Sequence, residues 1–411
     1  MLDEQEYSEA RAAEWESQGG LTRRQILKLG VAALPAAAAA TRVLTAVSPA
    51  RAATVPILKP LPPDLFTVFG SNAEMKWAAM ESQWYTTPND RFFVRNHTST
   101  TMIDAASYAL QVFGSGLSGS GATFTLAQLQ ALPAKEITAF IECAGNGRSF
   151  FGTQQKEPAP GTQWGLGVVG VARWRGVPLA DVLERAGITK QAVDVMAQGL
   201  DSTVVQGGVD VGHVRRPIPV AKALDDALLA YEMNGQPLPA DHGFPLRLVV
   251  PGWVGIANIK WVGQIEVSNQ PLFSFWNTQQ YRLAGGDYPV DGPPLTTQVV
   301  KSAFELAPGA QLPALRRTTL TGRSWSGTSA ISRVDVSIDH GNTWLTANLR
   351  GKNSVGTWVQ WSFDFPAEPA GSYELWARAH DASGRVQPPT VPFNSNGYLF
   401  GGIVRHPVVL R

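Results

Sequence analysis

The chain of 411 residues carries a formal net charge of +1, with 44% hydrophobic and 16% charged residues and a single cysteine. That length outgrows one hydrophobic core, so two folded units are expected, and the near-neutral charge argues against a surface built to neutralise a nucleic-acid backbone. One thiol excludes an intrachain disulfide framework, a four-thiolate cluster and a Cys-x-x-Cys-His haem attachment; it must be idle, reactive or a ligand.

The N-terminal stretch reads as an address. An acidic, polar leader precedes Thr22-Arg23-Arg24-Gln25-Ile26-Leu27-Lys28, then comes an Ala-rich apolar run, then Ala50-Arg51-Ala52. These describe a twin-arginine signal peptide over residues 1–52, with cleavage expected after Ala52. Ile26 stands where such signals most often carry an aromatic. A polar helix that contains two arginines by chance is the bland alternative. The apolar run is broken by Gly30 and Pro35 and ends at Arg42, short of the ~20 apolar residues a spanning helix needs, so no stable membrane span is expected. The twin-arginine route exports folded proteins, often with a cofactor already inserted. Periplasm or cell surface is therefore the expected location, and a cofactor is expected with it.

Residues 53–288 mix short apolar runs with a few helical stretches. Pro178 to Ala186 reads as a helix, Pro sitting where its missing amide costs nothing, and Ala221 to Tyr231 has helical spacing at Ala221, Leu224, Ala227, Leu228 and Tyr231. Strands are expected at Ala139 to Glu142, Val193 to Ala197, Leu246 to Val250 and Ile259 to Val267. The breaker-rich run from Gly285 to Pro294 marks a boundary, placed after Tyr288. In residues 289–411 the alternation from Ile331 to Asp339 predicts a strand with one buried face, Asp339-His340-Gly341-Asn342 a turn, and Thr343-Trp344 the start of a return strand. Trp358 to Phe365 and Tyr373 to Asp381 read as further strands. With no convincing helix, this unit is expected to be an immunoglobulin-like β-sandwich without the inter-sheet disulfide.

Cys143 lies in Phe140-Ile141-Glu142-Cys143-Ala144-Gly145-Asn146-Gly147-Arg148, where an apolar strand runs into a Gly and Asn turn. Such strand-end loops commonly display functional side chains. A buried, inert thiol is the ordinary state of a lone cysteine. Arg148 nearby would favour the thiolate, a soft ligand for a soft metal site, but by spacing alone both readings stay open.

The run Cys143-Ala144-Gly145-Asn146 followed by Arg148 resembles the molybdenum-ligand motif of the sulfite oxidase and assimilatory nitrate reductase family. Phe93-Val94-Arg95-Asn96-His97 is similar to an upstream signature, and Ala172-Arg173-Trp174-Arg175-Gly176-Val177, with Trp164 before it, to a middle stretch. Tyr231 to Pro239, Asp241 to Arg247, Pro251-Gly252 and Ile259-Lys260-Trp261 follow in family order. The resemblance implies an α+β chain: a mixed α/β sulfite-oxidase-type molybdopterin domain, then an immunoglobulin-like β-sandwich through which two copies dimerise. It implies a molybdenum–molybdopterin cofactor and no haem in this chain, with Cys143 as the protein's metal ligand. Asn96, His97, Asp201, His242, Arg247 and Lys260 would then surround the pterin and its phosphate, a buried anion needing the charge-assisted donors that Arg, Lys and His provide. Singly, each has a bland role: Asp201 could cap a turn, His242 steady the Gly243 bend and Arg247 form a structural ion pair.

For the substrate the matching positions are Arg95, Arg148 and Tyr281. Arginine suits a small oxyanion because its planar fork donates two hydrogen bonds and keeps its charge. Tyr281 would donate or relay a hydrogen bond, or else be an ordinary half-buried tyrosine beside Trp276. Two departures stand out. Asn396, in Phe393-Asn394-Ser395-Asn396-Gly397-Tyr398, occupies the place of a pocket arginine, and Gly147 the place where vertebrate members usually have another. Arg405 could substitute from nearby. The function implied is oxidation of sulfite to sulfate, with electrons passed to a separate acceptor such as a c-type cytochrome. The same cofactor acting on another sulfur compound, as in sulfane dehydrogenase relatives, or reducing nitrate or an S- or N-oxide, is the second reading. An exported, non-catalytic binding protein is the third.

Overall fold

The computed structural model describes residues 54–80 and 83–411, so the expected signal peptide lies outside the described residues. Among them no helix is long and apolar enough to cross a membrane.

The N-terminal part rests on two five-stranded sheets. The first has the order Arg215–Pro219, Asp194–Gly199, Val262–Ser268, Ala109–Phe113, Ala122–Thr125, antiparallel except between Val262–Ser268 and Ala109–Phe113. The second runs Gln236–Pro237, Leu228–Met233, Val169–Pro178, Lys135–Glu142, with Arg247–Val249 also paired to Leu228–Met233. Helices are short. Leu126–Gln130 starts at a capping box made by Thr125 and Gln128, and Leu179–Arg185 begins directly after Pro178. One apolar core joins the sheets: Leu110 and Val112 of the first and Leu229 and Leu248 of the second pack with Val182 and Leu183 of that helix.

Two local expectations change. The helix expected from Ala221 to Tyr231 covers only Val220–Asp225, and the chain then becomes the strand Leu228–Met233. Leu228 and Leu229 pair with Val169–Pro178 on one side and Arg247–Val249 on the other, so backbone hydrogen bonds on both edges override the helical spacing. The strand expected from Ile259 begins at Val262, because Lys260 and Trp261 form a bend in which Trp261 has φ 51°.

The C-terminal part is a β-sandwich. One sheet has the order Lys301–Phe304, Thr318–Trp325, Trp358–Phe365, Asn348–Arg350, and the other Ala310–Leu312, Arg405–Leu410, Gly371–Asp381, Ile331–Ser337, Leu345–Thr346. Between them lie Phe304, Val334, Val336, Trp361, Phe363, Leu375, Ala377 and Ala379. The Ile331–Ser337 strand differs from a half-exposed one: Asp335 is covered by Arg378 and His380, and Ser337 accepts the amides of Asp339 and Gly341.

The two parts share a seam. Trp325 and Trp358 of the sandwich pack with Phe140, Phe151 and Val171, and the Phe140 amide donates to Gly356 O (2.7 Å), which covers the free edge of the Lys135–Glu142 strand. Beneath it Lys301 Nζ meets Glu142 Oε1 at 2.6 Å, with side chains 3% and 0% exposed. Asn146 Nδ2 and Trp325 Nε1 also donate to that carboxylate, at 2.8 and 2.9 Å. The residue before Cys143 is thus clamped from the sandwich side.

Candidate functional site

Cys143 follows the last residue of its strand and is 7% exposed. Its amide donates to Val168 O (3.0 Å) and its carbonyl accepts from the Asn146 amide (2.9 Å), which closes the turn. The turn leads into the helix Arg148–Gln155 through Gly147, whose φ of 88° disfavours any side chain; this accounts for glycine there. Gly145 has a different reason. A Cβ there would lie 2.8 Å from Arg148 Nη2 and 3.1 Å from Trp164 Cδ1, so its absence leaves room for the guanidinium.

Cys143 opens on a cleft whose walls include Phe93, Ile141 and Ile256. Arg95, Asn96, His97, Asp201, His242, Arg247, Lys260 and Tyr281 all line it, so nine of the ten site residues expected from the sequence converge on one space. The tenth, Arg148, stands behind this lining. Its Nε donates to Asn396 O (2.9 Å) and its Nη1 to Thr162 O (3.0 Å). Arg405 does not serve the site, because its guanidinium lies over Trp376 on the neighbouring strand of the sandwich.

One end of the cleft is basic. Lys260 Nζ donates to Asn96 Oδ1 and to Asp241 O (2.9 Å). Arg247 donates to His242 O (2.9 Å) and to Asn258 O (3.3 Å). Burial, followed by the charges of Lys59, Arg247 and Lys260, pushes His242 well below the usual histidine range; burial and Arg247 do the same to Lys260. Burial lowers Arg247 to about 9. Asp201, which accepts from Thr98 (3.1 Å), is raised by burial despite Lys260. His242 Nε2 and Arg247 Nε are buried without a hydrogen-bond partner. Crowded cations that suppress one another's charge, with donors left unused, describe a receptor for an anion.

At the Cys143 end, Arg95 lies beside the thiol and Tyr281. It donates to Asn72 Oδ1 (3.2 Å) and Asn96 O and meets His97 Nδ1 at 3.2 Å. The Tyr281 hydroxyl is 2.9 Å from His97 Nε2, and burial raises its pKa. Burial and then Arg95 and Lys260 lower His97, which favours a neutral ring; since Arg95 can only donate to Nδ1, Nε2 carries the proton and donates to the Tyr281 hydroxyl oxygen, leaving the tyrosine O–H free to donate elsewhere.

Among the described residues no three His, Cys, Asp or Glu side chains converge on a metal site. Cys143 can therefore give one bond, and a metal there needs its other ligands from a second molecule. A molybdopterin meets both demands. Its phosphate suits the basic end, where His242, Arg247, Lys260 and Asn96 would hold it, and the pterin-bound molybdenum suits a single thiolate.

Two features were not identified from sequence. Asp241 accepts the Leu58 and Lys59 amides (2.9 and 2.8 Å) and the Thr100 hydroxyl (2.6 Å), tying the start of the described chain to the basic end. Its signal was its place at the head of the Asp241 to Arg247 run, which carried the resemblance without giving it a role. Tyr398 reaches the site from the sandwich and stacks on Tyr281; its signal was its place two residues after Asn396 in the run that carries a pocket arginine in relatives.

Residues 97–276 match the family model of an oxidoreductase molybdopterin binding domain, and residues 302–402 that of a Mo-co oxidoreductase dimerisation domain. The mitochondrial sulfite oxidase of Homo sapiens is 39% identical over 337 residues, covering 77% of this chain and 60% of that protein. The sulfite oxidase of Gallus gallus is 37% identical over 345 residues, covering 78% and 72%. The chain thus spans about 60% of the length of the human relative. Among solved structures, the sulfane dehydrogenase SoxCD from Paracoccus pantotrophus superimposes with a TM-score of 0.70 at 28% identity, covering 86% of this chain and 87% of that one.

Proposed function

The chain belongs to the sulfite oxidase family of molybdopterin-dependent oxidoreductases, and from that premise we propose that it oxidises sulfite to sulfate and hands the electrons to an external acceptor. The observation that carries this reading is the cleft in which a lone thiol, Arg95 and Tyr281 stand at one end and the basic group at the other. Bound in the cleft, a molybdenum cofactor would supply oxygen-atom transfer and two-electron redox chemistry. The protein supplies the rest. Arg95, from the lining, and Arg148, through the Nη2 that its own contacts leave, attract a small oxyanion and orient it by hydrogen bonds. Tyr281, hydrogen-bonded to His97 Nε2, keeps its proton in a buried setting and donates to an oxygen beside Cys143. The apolar walls of Phe93, Ile141 and Ile256 exclude bulk water and strengthen these contacts. In balance, sulfite and water become sulfate, two protons and two electrons.

The acceptor we propose is a c-type cytochrome met at a transient interface, with two copies of the chain joined through residues 289–411 and residues 53–288 carrying the chemistry. Export through the twin-arginine signal to the periplasm or cell surface belongs to the same reading. A second substrate class, another reduced sulfur compound, is favoured by Asn396 in the place of an arginine, since a less cationic pocket holds a dianion less tightly. Protein expressed with its signal should contain molybdenum and pterin and reduce cytochrome c with sulfite, and a Cys143→Ser variant should remain folded without doing so. Near-normal turnover by Cys143→Ser would overturn the assignment of the thiol. Turnover with thiosulfate-type substrates but not sulfite would select the second class, and nitrate reduction by a viologen donor would displace both.

A further inference from the structure

Resting on the reading of Arg148 and Tyr281 as substrate groups, we propose that Tyr398 is a positioning residue for the oxyanion, holding Arg148 and Tyr281 in one stack. The Tyr398 ring lies nearly parallel to that of Tyr281, with centroids 5.1 Å apart and an interplanar angle of 8°. The guanidinium carbon of Arg148 stands 5.3 Å from the centroid of the same ring. The plane of Tyr398 is itself fixed. Its hydroxyl donates to Gln280 Oε1 (3.0 Å), its amide donates to Asn394 Oδ1 (2.9 Å), and its carbonyl accepts from Asn394 Nδ2 (2.8 Å).

The loop that carries it is fastened to the cysteine turn. The Leu399 amide donates to Ala144 O (2.8 Å), and Asn396 O accepts from Arg148 Nε (2.9 Å). Gly397, at φ 58°, lets the Arg148 stem pass, since a Cβ there would come within 2.8 Å of Arg148 Cγ and 2.5 Å of Ala159 Cβ. With Nε bound to Asn396 O and Nη1 to Thr162 O, Nη2 has no acceptor among the described residues and lies beside Gly145 of the cysteine turn. That nitrogen is the donor Arg148 has left for an oxyanion, and the Tyr398 ring limits where it can point. In place of an added cation at residue 396, this chain offers a main-chain carbonyl and an aromatic plane that orient a cation it already has. A fixed guanidinium loses less side-chain entropy on binding than a mobile one.

The test uses the molybdenum-loaded protein, with two readouts: the KM for sulfite and the calorimetric Kd for sulfate, which needs no turnover. Tyr398→Leu should raise both at least fivefold at normal molybdenum content. Tyr398→Phe, which keeps the plane, should recover at least half of the lost binding free energy. In Arg148→Met, adding Tyr398→Leu should weaken sulfate by less than twofold more, since a residue acting through Arg148 has little left to position; independent structural damage would multiply instead. Where Tyr398→Leu does not load molybdenum, Tyr398→Met carries the same expectations. Sulfite KM and sulfate Kd within twofold of the parent in the loaded Leu or Met variant, or multiplicative loss in the double variant, overturns the proposal. A parental sulfate Kd in Arg148→Met alone overturns the underlying assignment of Arg148 instead.

Discussion

Replacing Lys301 with methionine asks whether the sandwich and the Cys143 turn are one folded unit. Lys301 Nζ makes two contacts in a buried seam, Glu142 Oε1 at 2.6 Å and Asn146 O at 3.0 Å. Methionine removes both and fills much of the space. The Glu142 carboxylate then keeps Asn146 Nδ2 and Trp325 Nε1 but has no counter-charge, with its side chain fully buried. Breaking a buried pair on one side costs about 3–5 kcal/mol, and the orphaned Asn146 carbonyl adds about 1 kcal/mol. A loss of about 4–6 kcal/mol is therefore expected in guanidinium unfolding followed by tryptophan fluorescence, where Trp325 and Trp358 report on the seam. Adding Glu142→Gln removes the stranded charge and should return at least about 2 kcal/mol, because the neutral amide is much cheaper to bury. A loss under about 1 kcal/mol, or a double variant no more stable than Lys301→Met, would refute the argument. The same single variant should release molybdenum faster on dilution, since Glu142 and Asn146 flank Cys143 in the chain and hold its turn.

Three further outcomes follow from other parts of the molecule. Arg247→Met should weaken retention of the phosphate-bearing cofactor about ten- to a hundredfold, the worth of a charge-assisted hydrogen bond of roughly 1.5–3 kcal/mol, read as pterin released on gel filtration; unchanged retention would exclude the basic end as the phosphate site. His406 is buried beneath Phe304, whose amide it accepts at 3.2 Å, and burial lowers its pKa to about 4. The unfolded state therefore binds this proton first, so its contribution is intact above the ordinary value and about 3 kcal/mol of stability is lost as pH falls from about 6.5 to about 4; His406→Gln should flatten that part of the stability profile, and an unaltered profile would discount it. Replacing both Arg23 and Arg24 with Lys should leave precursor in the cytoplasm on fractionation, because the signal is read as an address and not as generic charge; normal export would remove the twin-arginine reading.

Much of this architecture is written locally. Period-two alternation announced the sandwich strand at Ile331–Ser337, runs between turn residues announced those at Trp358–Phe365 and Gly371–Asp381, the latter read from Tyr373, and an apolar run breaking into Gly and Asn placed Cys143 at a strand-end turn. The chemical types at 95, 96, 97, 242, 247 and 260 indicated an anion receptor once the family resemblance grouped them. Local signals failed at Leu228–Met233, where pairing with two neighbouring strands outweighs helical spacing. They also could not tell that Arg405 turns onto Trp376 while Tyr398 turns onto Tyr281. The reason is geometric. Periodicity and turn chemistry act over a few residues, so a sequence determines element type and the supply of charged groups. The direction of a side chain and the closing of a buried ion pair such as Lys301–Glu142, whose partners are 159 residues apart, depend on which surfaces meet after the sheets have packed. Only there does desolvation make one contact worth several kcal/mol, and only the tertiary structure decides which groups are desolvated together.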